Sequence, residues 1–181
     1  VYTADPRIVQ NTSKLKQITY DEMLELASLG AKVLHPRSVE LAKIHQVKLC
    51  VRSSFDTSKE GTFVVDNEQI EKEYVVTGVA SDANVAKIGI FDIPDQPGVA
   101  NSIFTALAEA KVNVDMIVQS AMRNEVNDIA FTISKDDLDK ALEIVHGLQE
   151  KIGFSDVLYA DDVAKISIVG AGMVSATGVA A

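Results

Sequence analysis

Basic residues are scarce in this chain: 17 Lys and Arg stand against 26 Asp and Glu, leaving a formal net charge of −9. A protein that tracks nucleic-acid phosphates would have nothing to offset the repulsion, so a nucleic-acid partner is excluded while a local site for a small phosphate is not. Long apolar runs are missing too. No stretch approaches the roughly 18 residues that a membrane helix needs, so no membrane association and a cytoplasmic location are expected. The single cysteine, Cys50, excludes an intrachain disulfide and suits a reducing compartment; within Leu49–Val51 it reads as a small residue of a buried strand. His35 has no nearby His or Cys, which leaves no metal site to argue. Neither Ser53, Ser54 nor any histidine forms a nucleophile–base pair, so no catalytic residue is assigned.

What is present is patterned. Thr19 and Glu22 make a capping-box pair ahead of Met23, Leu24, Leu26 and Ala27, and Gly30 predicts the end of that helix. Pro36 predicts a second helix start, with Val39, Leu41, Ala42 and Ile44 at mainly helical spacing. Val47, Leu49 and Val51 alternate as a strand. The polar stretch 56–61 is turn-forming and is taken as a domain boundary, so residues 1–60 form one α/β segment.

From 84 to 160 the order is β-α-β-β-α-β. Ile88, Ile90 and Ile93 form a strand that breaks at Pro94–Gly98, where Pro97 is placed in a first helical turn and Asp95 to cap it. Ala100, Ile103, Phe104, Leu107 and Ala108 share a helical face. Val112, Val114 and Met116 alternate, as do Ile129, Phe131 and Ile133. Leu138, Ala141, Leu142, Val145 and Leu148 predict a second helix, and Val157–Tyr159 a last short strand. This is the ferredoxin-like α+β unit, two helices on one face of an antiparallel sheet. An internal repeat follows. Val85-Ala86-Lys87-Ile88 recurs as Val163–Ile166, and Gly98-Val99-Ala100 recurs as Gly178–Ala180, so a second unit of the same kind begins. The chain opens on Val1 inside a structured phrase and stops as that new unit starts, so a piece of a longer protein is expected.

Two constellations carry chemistry. A strand that ends in a Pro-Gly turn and opens a helix directs backbone N–H groups and a positive dipole end at one spot, which suits a small carboxylate. Asp95 at its lip suits an ammonium group, and Asn113, Asp115 and Gln119 on the next strand are expected to close an amino-acid pocket near the turn. Alternatively, Asp95 is only a helix cap and Asn113 only a turn residue. The second constellation is Tyr2, Asp5, Pro6 and Arg7 with Lys32: an aromatic face, a rigid turn and cations suited to a polyphosphate, or else solvated surface charge. Gly170-Ala171-Gly172 lacks the third glycine of a dinucleotide fingerprint, Ser175 standing where it is needed, and that reading is rejected.

Residues 1–7 (Val-Tyr-Thr-Ala-Asp-Pro-Arg), 26–38 (Leu-Ala-Ser-Leu-Gly-Ala-Lys-Val-Leu-His-Pro-Arg-Ser) and 51–55 (Val-Arg-Ser-Ser-Phe) resemble the end of the aspartate kinase catalytic domain. Residues 76–80 (Val-Thr-Gly-Val-Ala) and the Asp95–Gly98 turn are similar to the entry into that family's ACT regulatory region. The resemblance spans essentially the whole chain. It implies an enzyme that phosphorylates the β-carboxylate of L-aspartate with MgATP, at the head of lysine, threonine and methionine synthesis. It places nucleotide contacts at Tyr2, Asp5, Pro6, Arg7, Lys32 and Val33. Effector contacts fall at Asp95, Gln96, Pro97, Gly98, Ala100, Asn113, Val114, Asp115 and Gln119, for lysine, threonine or both. It further implies a first ACT unit at 84–160 inserted into an incomplete second one (75–80 and 161–181), and homo-oligomers that pair through ACT sheets. The family's amino-terminal phosphate-binding segment and its aspartate-binding residues are not among these 181. A non-catalytic regulatory subunit is the alternative, and the nucleotide-contact residues argue against it.

Overall fold

The computed structural model describes residues 1–66, 75–121, 124–174 and 176–179. Among them, no helix is long and apolar enough to cross a membrane. Two compact units emerge, one of residues 1–82 and 166–181, the other of 83–165, so the second is inserted within the first along the chain.

In the first unit the capping box forms as the sequence predicts. β1 (Gln17–Thr19) leads into α1 (Tyr20–Ser28), where the Thr19 hydroxyl accepts from Glu22 N–H and the Glu22 carboxylate accepts from Thr19 N–H. α2 (Pro36–Ile44) opens on Pro36, and His35 caps it, its Nδ1 accepting from Arg37 N–H at 3.2 Å. Val39 and Ala42 are buried, whereas Leu41 and Ile44 face outward. β2 (Leu49–Val51) and β3 (Thr62–Val65) complete a sheet of order β1-β3-β2, with β3 parallel to β1 and antiparallel to β2. The stretch 56–61 is therefore a hairpin connection inside one sheet and not a domain boundary. Polarity alone suggested a boundary, and four-residue β3 is too short to register as a period. Cys50 is exposed, a second correction: it lies on edge strand β2 opposite Phe63, itself 41% exposed. Ile18, Tyr20, Met23, Leu26, Val39, Val64, Ala80 and Val169 form this unit's core, and Tyr20 Oη donates to Val47 O at 2.9 Å.

β4 (Gly78–Pro94) and β7 (Asp156–Val169) are far longer than the apolar patterns at Ile88–Ile93 and Val157–Tyr159 imply. Backbone pairing carries them through polar residues such as Ser81, Asp82 and Asn84, which alternation cannot flag. α3 (Val99–Glu109), β5 (Val114–Gln119), β6 (Val126–Ser134) and α4 (Leu138–Ile152) complete the ferredoxin-like fold, with sheet order β5-β6-β4-β7. The chain is thus α+β as its pattern predicts. Burial along β6 alternates strictly, and Ile129, Phe131 and Ile133 pack with Ile88, Ile90, Ile103, Leu107, Ala141 and Val145. Phe104 meets Phe131 edge-on, centroids 5.6 Å apart. Full burial of each such side chain contributes about 1.5–3 kcal/mol.

The repeat has a structural counterpart. Gly98 and Gly178 both adopt left-handed backbone, φ 93° and 82°, as only glycine does readily. Burial differs between the copies: Ile88 is fully buried and Ile166 is 62% exposed. Ala180 and Ser175, which the sequence argument used, lie outside the described residues.

Gly170 marks the tightest backbone approach. A Cβ there would sit 2.2 Å from Val75 O and 2.8 Å from Val76 Cα. Gly147, within α4, would meet nothing within 4 Å. Gly170→Ala is expected to cost about 1–3 kcal/mol by overpacking. Gly147→Ala should stabilise by about 0.4–1 kcal/mol through helix propensity. Urea denaturation of both variants measures the contrast.

Candidate functional site

The Asp95–Gly98 turn is exposed and leads into the amino terminus of α3. Helix α3 starts at Val99 with left-handed Gly98 as its N-cap, and no side chain caps it. Asp95 is therefore not the cap, and Pro97 precedes the first turn rather than occupying it. Instead Asp95 N–H donates to Glu125 O at 3.0 Å, and Asp95 Oδ1 accepts from Asn127 Nδ2 at 3.1 Å. The carboxylate is thus held by β6 beside a helix end left open to an anion. Ala100 is half-buried against the core.

Asn127 was not anticipated. It is 6% exposed and takes an inward position of β6, in phase with Ile129, Phe131 and Ile133. A polar residue in an apolar register was the available signal. Its Oδ1 is buried without a partner among the described residues. Asn127 also lines a cavity of about 370 Å³ with Asp92, Ser120, Ala121, Asn124, Val126 and Asp128. A positive-φ residue, Asp92 at 52°, lies in the bulge between Ile90 and Ile93, its N–H bonded to Asp128 Oδ1 at 3.0 Å.

Strand register separates the remaining effector candidates. Pro94 pairs with Val126 at the start of β6, and Gln119 pairs with Ile129 nearby. Val114 pairs with Ile133. Seven residues of strand, roughly 23 Å at ~3.3 Å per residue, part the Asp95 turn from Asn113, Val114 and Asp115. The expectation that these residues close a pocket beside the turn fails within one unit, because β5 begins at the opposite end of the sheet. Asn113 and Asp115 are exposed, and Asp115 forms an ion pair with Lys165.

The nucleotide-contact candidates lie in the first unit. Arg7 clasps Asp5 through Nε and Nη2, at 3.0 Å to Oδ1 and 2.7 Å to Oδ2. This charge-assisted bond from Arg7 holds the Asp5 carboxyl down at about 2. Tyr2 bridges to Lys14 and is 44% exposed; Lys32 and Val33 are exposed in the turn after Gly30. The start of β4 touches both stretches. Thr3 O accepts from Val79 N–H at 2.8 Å, and Gly30 lies within 3.1 Å of Ser81 O and Asp82 Cβ, measured from an added Cβ. Pro6 sits in the turn that Asp5 O closes with Ile8 and Val9 N–H. No group of three metal-ligating residues occurs among the described residues.

Residues 1–53 match the amino acid kinase family and residues 92–148 match the ACT domain. The class is thus an amino acid kinase segment joined to an ACT domain. An aspartokinase of Corynebacterium glutamicum is 46% identical over the whole chain, which spans 44% of that relative. The regulatory subunit of aspartate kinase from Thermus thermophilus is 43% identical, with TM-score 0.56 over 59% of this chain and 70% of its own. Aspartokinase III of E. coli in complex with aspartate and ADP gives 26% identity and TM-score 0.78, covering 99% of this chain and 40% of that one. Its complex with lysine and aspartate gives 25% and 0.69, over 94% and 37%. The chain belongs to the aspartokinase family. It spans less than half the length of the curated relatives it matches.

Glu22 supplies a pH test of the site's framework. Burial pushes its carboxyl up, but hydrogen bonds from Thr77, Ala171 and Thr19 outweigh it and leave the group below the ordinary glutamate range. A depressed folded value means that its stabilisation is complete above the unfolded value of about 4.3 and is lost as pH falls through the folded one. Urea midpoints measured downward from pH 5 should fall less steeply in Glu22→Gln than in the parent chain.

Proposed function

We propose that this chain supplies part of the nucleotide site and the amino-acid sensor of an aspartate kinase, which transfers the γ-phosphoryl group of MgATP to the β-carboxylate of L-aspartate. The supporting observation is that β4 begins in contact with both nucleotide stretches and ends at the Asp95 turn. Phosphoryl transfer depends on cations placed around the phosphates, and Arg7 and Lys32 are the cations offered here. Mg²⁺ would travel with the nucleotide. Tyr2, Asp5, Pro6 and Val33 complete the proposed nucleotide contacts. The amino acid kinase match over residues 1–53 favours this reading over a regulatory subunit that never catalyses.

The effector is lysine, threonine or both, with feedback on lysine and threonine synthesis. Asp95, Gln96, Pro97, Gly98 and Ala100 form one half of its site, with Asp95 for the ammonium and the α3 terminus for the carboxylate. Gln119, which pairs with Ile129 toward the turn's end of β6, joins that half, and Asn113, Val114 and Asp115 form the other. The separation of these halves along β6 supports a pocket completed by a second ACT unit, in the same chain or a partner; completion by a partner is the proposed homo-oligomer joined through ACT sheets. Edge strand β5, with Met116, Ile117 and Val118 all exposed, suits such pairing. The domain limits proposed are 84–160 for the first ACT unit, with 75–80 and 161–181 in the second.

These 181 residues alone are expected to form no aspartyl phosphate in a coupled assay, since half of the phosphate-binding apparatus lies elsewhere. In the full-length kinase, calorimetric titration with lysine and threonine, separately and together, should give saturable heat. Absence of both heat and inhibition with either amino acid would sink the sensor role.

A further inference from the structure

Glu22 is the one acidic side chain among the buried described residues, 8% exposed. The capping box accounts for its Oε2, which accepts from Thr19 N–H at 3.2 Å and from the Thr19 hydroxyl at 2.9 Å. It does not account for Oε1. That oxygen accepts from the Thr77 hydroxyl at 2.6 Å and from Ala171 N–H at 3.2 Å, 55 and 149 residues away. The two distant stretches are also joined to each other. Thr77 N–H donates to Val169 O at 2.8 Å, and Gly170 stands in backbone contact with Val75 and Val76.

From Thr77 the chain runs directly into β4. Two residues on, Val79 N–H holds Thr3 O within the Tyr2–Arg7 stretch; two to three further, Ser81 and Asp82 abut Gly30, which leads to Lys32 and Val33. We propose that Glu22 is a positioning residue: through Thr77 it fixes the start of β4 against both nucleotide-contact stretches, and through Ala171 it ties that placement to the end of β7. The inference rests on the nucleotide reading above and adds a residue that touches no nucleotide.

The coupling has a physical origin. A buried carboxylate oxygen stripped of a donor is costly, because water cannot replace the lost bond. Movement of Val169–Ala171 therefore drags Oε1, Thr77 and the start of β4 rather than being absorbed locally. β7 is the strand that carries the second copy of the repeat, so displacement arising in the regulatory region reaches the nucleotide stretches by this route.

The test uses the full-length kinase, with KM for MgATP, kcat and the half-inhibitory effector concentration as readouts. Thr77→Val removes the hydroxyl without changing shape, Thr77→Ser keeps it, and Glu22→Gln replaces the carboxylate. Thr77→Val and Glu22→Gln should raise KM for MgATP by about three- to tenfold, with kcat held within about twofold. Both should move the half-inhibitory concentration by at least about threefold, and Thr77→Ser should match the parent. If Glu22→Gln does not fold, the Thr77 pair decides. Unchanged KM and half-inhibition in Thr77→Val, in an enzyme where Lys32→Ala raises KM, overturns the inference. If Lys32→Ala and Arg7→Ala both leave KM unchanged, the nucleotide reading itself falls and this inference with it.

Discussion

A single carboxylate, that of Glu22, gathers the first unit. Helix α1 needs its capping box, the entry to β4 needs an acceptor for the Thr77 hydroxyl, and the chain leaving β7 needs an acceptor for Ala171 N–H. One buried side chain meets all three requirements, which is why its burial is tolerated: every lone pair in use repays desolvation. Around it the backbones of Gly170, Val75 and Val76 come too close for any side chain. The two stretches expected to meet nucleotide hang from the strand that this junction anchors.

The second unit is built on a different constraint, the strict alternation of β6. Its inward residues make the core, and its pairing registers dictate where everything else stands. Asn127 breaks the apolar phase at the end nearest the Asp95 turn. There its amide steadies an acidic side chain beside an uncapped helix terminus. Together these give a lip with acceptors for an ammonium and a dipole for a carboxylate, the two charges that any free amino acid carries.

Much of this was legible in the sequence because the responsible interactions are local. Thr19 with Glu22, Pro36, and the spacing of Ile103 and Leu107 fix helices within a few residues of themselves. The ferredoxin-like order and the repeated Val-Ala-Lys-Ile were legible for the same reason. What escaped depends on partners distant in the chain. β3 exists because β1 and β2 flank it, and the polar stretches of β4 are strand because a neighbour pairs them. Asp95 looked like a cap because Asn127, 32 residues on, cannot be seen from the turn. The split of the effector candidates is likewise a matter of register, which residue spacing does not disclose.

That split carries a counting rule. Under the proposed effector assignment, a unit with the turn at one end of its sheet and the β5 start at the other offers a half-site at each end. When two such units associate about a two-fold axis, each turn meets the other's β5 start, and the operation that makes one complete pocket makes a second. Ligand stoichiometry then comes in twos per pair of equivalent units. Two inequivalent units, as the repeat suggests, would instead build two unlike pockets, leaving room for two different amino acids on one scaffold.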